Sequence, residues 1–202
     1  MTTSAPSTSE TGPGDARPLT TAAQQWVGQL LENVTPEMLD RPTPCDELDV
    51  RRLIGHMLGV ERRLLVAGEG GDPSAEPVEL DVPGDAAGAY REAAATAMRA
   101  WADANTLDLT VNSPWAPPPG AVFMAVYAVE HLTHGWDLAI ATGQEPEADP
   151  ALAEACLAIA NQGVPAERDD IPFGAVVEPA ADARPTERLA NWMGRPSRPP
   201  VV

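Results

Sequence analysis

Apolar residues recur at helical spacing along most of this chain, and strand-like alternation is nearly absent. From Leu19, the row Ala22, Trp26, Leu30 and Leu31 predicts a first helix that Pro36 closes. Leu48, Leu53, Met57, Val60 and Leu64 form a second stripe, running to about Ala67, with Asp46 placed to cap it and Asp49 in its first turn. A third, Ala-rich helix is expected from about Asp85 to Asp103, with Tyr90, Ala94, Ala97 and Trp101 as its inward row. The longest apolar pattern, Ala121 to Ala141, ends at Gly143, a natural C-terminal cap. A shorter helix over Pro150–Asn161 and an amphipathic turn over Glu187–Met193 complete the set, with one short strand conceivable at Ala175–Val177. The pattern predicts an all-α fold, a four-helix bundle with short extra helices on its C-terminal side.

Between these stripes lie polar joints. Residues 1–17 are Ser, Thr, Pro and Gly without apolar periodicity and are expected to be a disordered leader, which leaves 18–202 as one domain. Gly68–Gly84 is acidic and Gly/Pro-rich and is expected to be a surface loop. Length agrees with one domain, because 202 residues exceed the roughly 150 of a typical domain only modestly.

Charge then excludes several functions. Thirteen basic residues, all arginine, face 30 acidic ones for a net charge of −17, so the clustered cations that a phosphate backbone needs are missing. Nucleic acid is not an expected partner. Without any lysine, a P-loop, a Schiff-base lysine and a Ser-Lys dyad are impossible. No apolar run approaches membrane-spanning length, and the N-terminus has no signal-peptide core, so neither a membrane partner nor secretion is expected. Two distant cysteines, Cys45 and Cys156, give no disulfide framework; both read as small hydrophobes, in keeping with a cytoplasmic setting.

Polar residues on apolar stripes are the candidates for chemistry in a bundle. His56 lies one turn after Leu53 on the core side of the second helix. Glu130 and His134 are four apart on the long helix and share a face in line with Tyr127. Two imidazoles and a carboxylate from facing helices make a three-ligand metal site with open positions, as a catalytic divalent ion requires. Spacing alone is weak, since a Glu four before a His arises by chance in roughly a quarter of such chains. A stronger argument is that Glu130, read as the one inward carboxylate of the long helix, has no Arg on that helix to neutralise it. His131 projects about 100° from Glu130 and reads as structural or surface, with an i,i+3 partnership to His134 as the alternative. Asp137, one turn after His134, could accept its hydrogen bond, and Phe123, Tyr127 and Trp136 could wall a pocket beside the metal.

Two segments carry a family resemblance. Thr43-Pro-Cys-Asp-Glu-Leu-Asp-Val50 with Leu53-Ile-Gly-His56, and Glu130-His-Leu-Thr-His-Gly-Trp-Asp-Leu-Ala139 with Thr142-Gly-Gln144, resemble the actinobacterial metal-binding family built around the N-terminal domain of mycothiol-dependent maleylpyruvate isomerase, within the DinB-like superfamily of four-helix bundles. The ending Arg188-Leu-Ala-Asn-Trp-Met-Gly-Arg195-Pro196 fits as well, and the likeness spans about residues 19–196. Leu48 and His131 depart from the motif, where a Trp and an apolar residue are frequent. The resemblance implies a divalent ion, usually Zn2+, held by His56, Glu130 and His134, with mycothiol or a similar low-molecular-weight thiol as cosubstrate. It points first to a thiol-dependent S-transferase acting on small electrophiles. The alternatives are a non-catalytic metal-binding, sensing or bracing module, and a maleylpyruvate-type isomerase, which in the family carries a further C-terminal domain. A homodimer is compatible with exposed bundle faces.

Overall fold

Six α-helices carry the apolar stripes in this computed structural model, which describes residues 14–113, 117–168 and 173–197. They are α1 (Arg17–Leu31), α2 (Val50–Gly68), α3 (Ala86–Ala100), α4 (Gly120–Thr142), α5 (Pro150–Gly163) and α6 (Pro185–Trp192). The fold is all-α, with no strand among the described residues, only two isolated bridges. Residues Ala175–Val177 form no strand; the Val177 amide donates instead to the Asn191 carbonyl at the end of α6. Most of the expected leader lies outside the described residues, but its last part does not belong to it: Arg17 opens α1, and Ala16 is buried in the core.

The first four helices make a DinB-like bundle in which α1 and α2 each pack against both α3 and α4. Helix α4 is apolar around most of its circumference, and the packing explains why: α1 and α2 cover one side, α5 and α6 the other. The α1 stripe is rotated from the expected row. Ala23 and Val27 are fully buried, while Ala22 and Trp26 only flank the core. The α3 row of Tyr90, Ala94, Ala97 and Trp101 faces inward as the pattern predicts. Gly143 ends α4 with φ of +73°, a left-handed conformation that favours glycine.

Helix α2 starts later than its sequence suggests. The cap is Asp49, whose carboxylate accepts the Arg52 amide at 2.8 Å, and Asp46 stays exposed in the preceding turn. That turn is tied by Thr43, whose hydroxyl donates to the Leu48 carbonyl at 2.7 Å and accepts the Cys45 amide at 3.2 Å. The acidic loop between α2 and α3 is less free than expected, because Leu80 donates its amide to the Gly55 carbonyl at 3.0 Å. A Cβ on Gly55 would sit 2.5 Å from the Leu80 carbonyl oxygen, and one on Gly59 equally close to that of Val78, so the loop lies directly on glycine backbone.

Candidate metal centre

His56 from α2 and Glu130 and His134 from α4 converge where these helices face each other. The Glu130 Oε1 lies 3.0 Å from His56 Nε2 and 3.5 Å from His134 Nε2. The two imidazole rings meet edge to face, with centroids 4.8 Å apart. One nitrogen or oxygen from each residue falls within 4.8 Å of the others. Ligands of a tetrahedral zinc ion, each about 2.0–2.1 Å from the metal, lie about 3.3 Å from one another, so the two measured separations bracket the spacing an ion would impose. The side chains of His56 and Glu130 keep 12% and 28% of their exposure, which leaves one side of the donor set reachable from solvent.

The charges suit a cation. Burial would raise the Glu130 carboxyl, but His134 and His56 beside it hold it well below the usual carboxylate range. It is ionised at neutral pH. Burial would lower His134, yet Glu130 on one side and Asp137 on the other push it up to about 9. Without a metal, His134 is therefore an imidazolium at neutral pH.

Asp137 orients that ring, and it is fully buried. His134 Nδ1–H donates to Asp137 Oδ2 at 3.0 Å, which leaves Nε2 facing Glu130. Glu130 is thus not the one inward carboxylate of α4: Asp137 is the more buried of the two. Its counter-charge comes from a residue that the sequence did not single out for chemistry. Arg195, just past α6, donates to both Asp137 oxygens at 3.2 Å and is mostly buried there.

Cys45 also reaches this place, half-buried rather than a core hydrophobe, and with His134 and Asp137 it forms a second group of potential ligands. Burial raises its thiol pKa, against which the Arg195 charge pulls down. Arg195 decides between the two donor sets. A cation placed between Cys45, His134 and Asp137 would meet a guanidinium already bound to that carboxylate, whereas the set of His56, Glu130 and His134 has no arginine bound to it among the described residues.

The other candidates fall as follows. Tyr127 stands one turn before Glu130, its ring against Phe123 with centroids 4.3 Å apart. Trp136 is fully buried and, six residues past Glu130, sits about 240° around the helix from it. Phe123 stacks on Trp101, and Trp115 lies outside the described residues. His131 is buried, not at the surface: its Nδ1–H donates to the Tyr127 carbonyl at 2.5 Å and its Nε2 pairs with Glu61 Oε1 at 2.8 Å. Burial would lower this imidazole, but the Glu61 carboxylate raises it. Glu61, fully buried on α2, also accepts from Gln24 of α1 at 2.8 Å. Cys156 is buried in α5, its thiol pushed up to about 12 by burial alone.

Comparison with known proteins places the chain. The mycothiol maleylpyruvate isomerase N-terminal domain family matches residues 20–139, which hold His56, Glu130 and His134. The chain belongs to this family. Two family relatives in Mycobacterium tuberculosis, from strains CDC 1551 / Oshkosh and ATCC 25618 / H37Rv, are each 34% identical over 184 residues, covering 87% of this chain and 95% of theirs; both are named only as uncharacterized proteins. No solved structure matches the chain. Arg195 lies beyond the family-matched residues yet reaches His134 through Asp137.

Proposed function

We propose that this chain holds a divalent metal ion, Zn2+, through His56, Glu130 and His134, and acts as a thiol-dependent S-transferase of the mycothiol type on small electrophiles. The observation that carries this reading is a donor set of two imidazoles and one carboxylate at tetrahedral spacing, open on one side. Bound there, the ion would lower the pKa of a coordinated thiol so that the nucleophilic thiolate exists at neutral pH. The family's link to a mycothiol-dependent isomerase favours a small thiol as the cosubstrate.

The chain's own groups have separate tasks. Asp137, anchored by Arg195, holds the Nδ1 proton of His134, so that the proton an ion would displace is the one on Nε2. Glu130 remains ionised and supplies the anionic oxygen. The Tyr127 hydroxyl, one turn before Glu130 and raised by burial, keeps its proton as a neutral donor. For an electrophile with a leaving group, the carbon–sulfur bond forms as the bond to that group breaks, and the thiol proton departs with it. Neither Cys45 nor Cys156 is needed as a nucleophile.

Elemental analysis of the purified protein tests the foundation. One divalent ion per chain is expected, with loss of most of it in His56→Ala and Glu130→Gln. Zinc-loaded protein should then accelerate conjugation of monochlorobimane with a low-molecular-weight thiol, and the two variants should not. A wild-type protein that takes up no stoichiometric metal overturns the reading.

A further inference from the structure

Helices α1 and α3 pack on the side of the bundle opposite the α2/α4 seam that holds His56 and Glu130. A groove of about 390 Å³ runs between them, within the roughly 300–1,000 Å³ of small-molecule sites. Small residues keep it open. A Cβ on Gly28 of α1 would meet nothing nearer than Arg91 Cγ at 3.4 Å, an ordinary contact, and α3 faces the space with Ala94 and Ala95.

Of the residues that line this groove, Gln24 is the only polar one buried, at 5% exposure. Its Nε2 donates to the Glu61 carboxylate at 2.8 Å, which fixes the amide: the nitrogen turns inward to an acceptor, and the carbonyl oxygen takes the other branch. That oxygen accepts no hydrogen bond among the described residues. Nor is it sealed in the core, because the fully buried polar atoms without a partner belong to Tyr90, Arg168 and Arg188. It is therefore reached from outside, by way of the groove that Gln24 lines. A nearly buried acceptor left without a donor is costly, and a ligand can supply the donor.

The charges at the rim are already spent on each other, since Arg91 Nη1 donates to Glu32 Oε1 at 2.6 Å. Gln25 and Gln29 are exposed there, where water can serve them. An ionic ligand would find no free counter-charge in the groove.

We propose that the α1/α3 groove binds a small, neutral, largely apolar molecule that carries one N–H or O–H group and donates it to Gln24 Oε1. The site is separate from the metal centre and does not depend on it.

An NMR titration of the full-length, 15N-labelled protein with indole, and with benzothiophene, in which sulfur replaces the N–H, tests the site. Indole is expected to shift the Gln24 side-chain amide and the backbone amides of Gly28 and Ala94. It should bind about three- to tenfold more tightly than benzothiophene, the worth of one neutral hydrogen bond. Gln24→Met removes the acceptor at similar length and should make the two probes equal. Gly28→Leu should fill the groove and abolish binding of both, with helical circular dichroism retained, because leucine suits a helix better than glycine. Equal affinity for the probes in wild type, no binding up to the solubility of indole, shifts centred elsewhere, or binding that survives Gly28→Leu overturns the proposal. A wild-type dimer that Gly28→Leu converts to monomer, with no response to indole, would assign the groove to a second copy of the chain and overturn it too. None of these readouts needs a metal, so they decide the groove whatever the fate of the metal reading.

Discussion

His134 has a carboxylate at each ring nitrogen, and this one residue sets how the centre responds to pH. With its pKa pushed up to about 9, it carries two protons at neutral pH, and a metal ion can take Nε2 only by displacing one of them. Glu130, held well below the usual range, has no proton to give. Zinc uptake should therefore release a proton from His134. The apparent affinity should rise by about one log unit per pH unit and level off near pH 9, which potentiometric titration alongside calorimetry at several pH values would measure. An affinity flat from pH 6 to 8 would contradict it. The same shift makes metal-free stability pH-dependent with the opposite sign. A histidine raised above its unfolded pKa of about 6.5 stabilises the fold fully below that pH, and the contribution is lost as pH climbs through about 9. Glu130, being lowered, adds stability that is lost only in acid, below about pH 4.5.

The element that reaches furthest into this site is the segment just after α6. Gly194, with φ of +87°, lets the backbone pass so close to Gly174 that a Cβ on it would meet the Gly174 Cα at 2.8 Å, and Asn191 holds the Arg195 carbonyl at 2.9 Å. Arg195 is thus delivered to Asp137 by a fixed turn. Replacing it with Met should leave the helices formed but the Asp137 carboxylate buried without its cation, so that His134 loses its fixed orientation. Zinc affinity should fall by about tenfold to a hundredfold, measured by chelator competition, with a lower Tm as well; Arg195→Lys should restore part of the affinity. Unchanged zinc affinity in Arg195→Met would show that the segment only packs. The sequence displays α4 plainly, and the four-residue spacing puts Glu130 and His134 on one face of it. It does not display Arg195 or Glu61, whose partners lie 58 and 70 residues away and are joined only by how the elements pack. Local readings fail for a related reason at α2, where Asp46 and Asp49 both suit a cap and the tie from Thr43 decides between them. Cys45 gives no local sign of facing His134, because its turn is held there by contacts that no helical period encodes.

Across the whole bundle, α2 and α4 are joined by two polar rungs of opposite sense. His56 of α2 meets Glu130 of α4, and Glu61 of α2 meets His131 of α4. The first rung keeps an open side, while the second is wholly buried, with Gln24 of α1 and Tyr90 of α3 beside it, so all four helices of the bundle meet at it. Tyr90 leaves its hydroxyl without a hydrogen bond there, and the Glu61 charge together with burial holds that group well above the ordinary tyrosine range. His131 donates from Nδ1 to a backbone carbonyl and faces Glu61 at Nε2; burial lowers this imidazole, and Glu61 beside it raises it. A buried pair is costly to desolvate, and its worth to stability is small beside its worth in fixing how two helices rotate against each other. Breaking it from one side should be severe. Glu61→Leu leaves His131 Nε2 and the Gln24 amide buried without their partner and should cost about 1–3 kcal/mol for each such group in denaturant unfolding. In Glu61→Leu with His131→Leu the charge is gone from both helices, and most of that loss should be recovered. Zinc affinity should not recover with it, because without the rung the rotation of α4 that aims Glu130 and His134 at His56 is held by apolar packing alone. A double variant that regains neither stability nor metal, or that regains both in full, would show that the second rung does not set the register of the first.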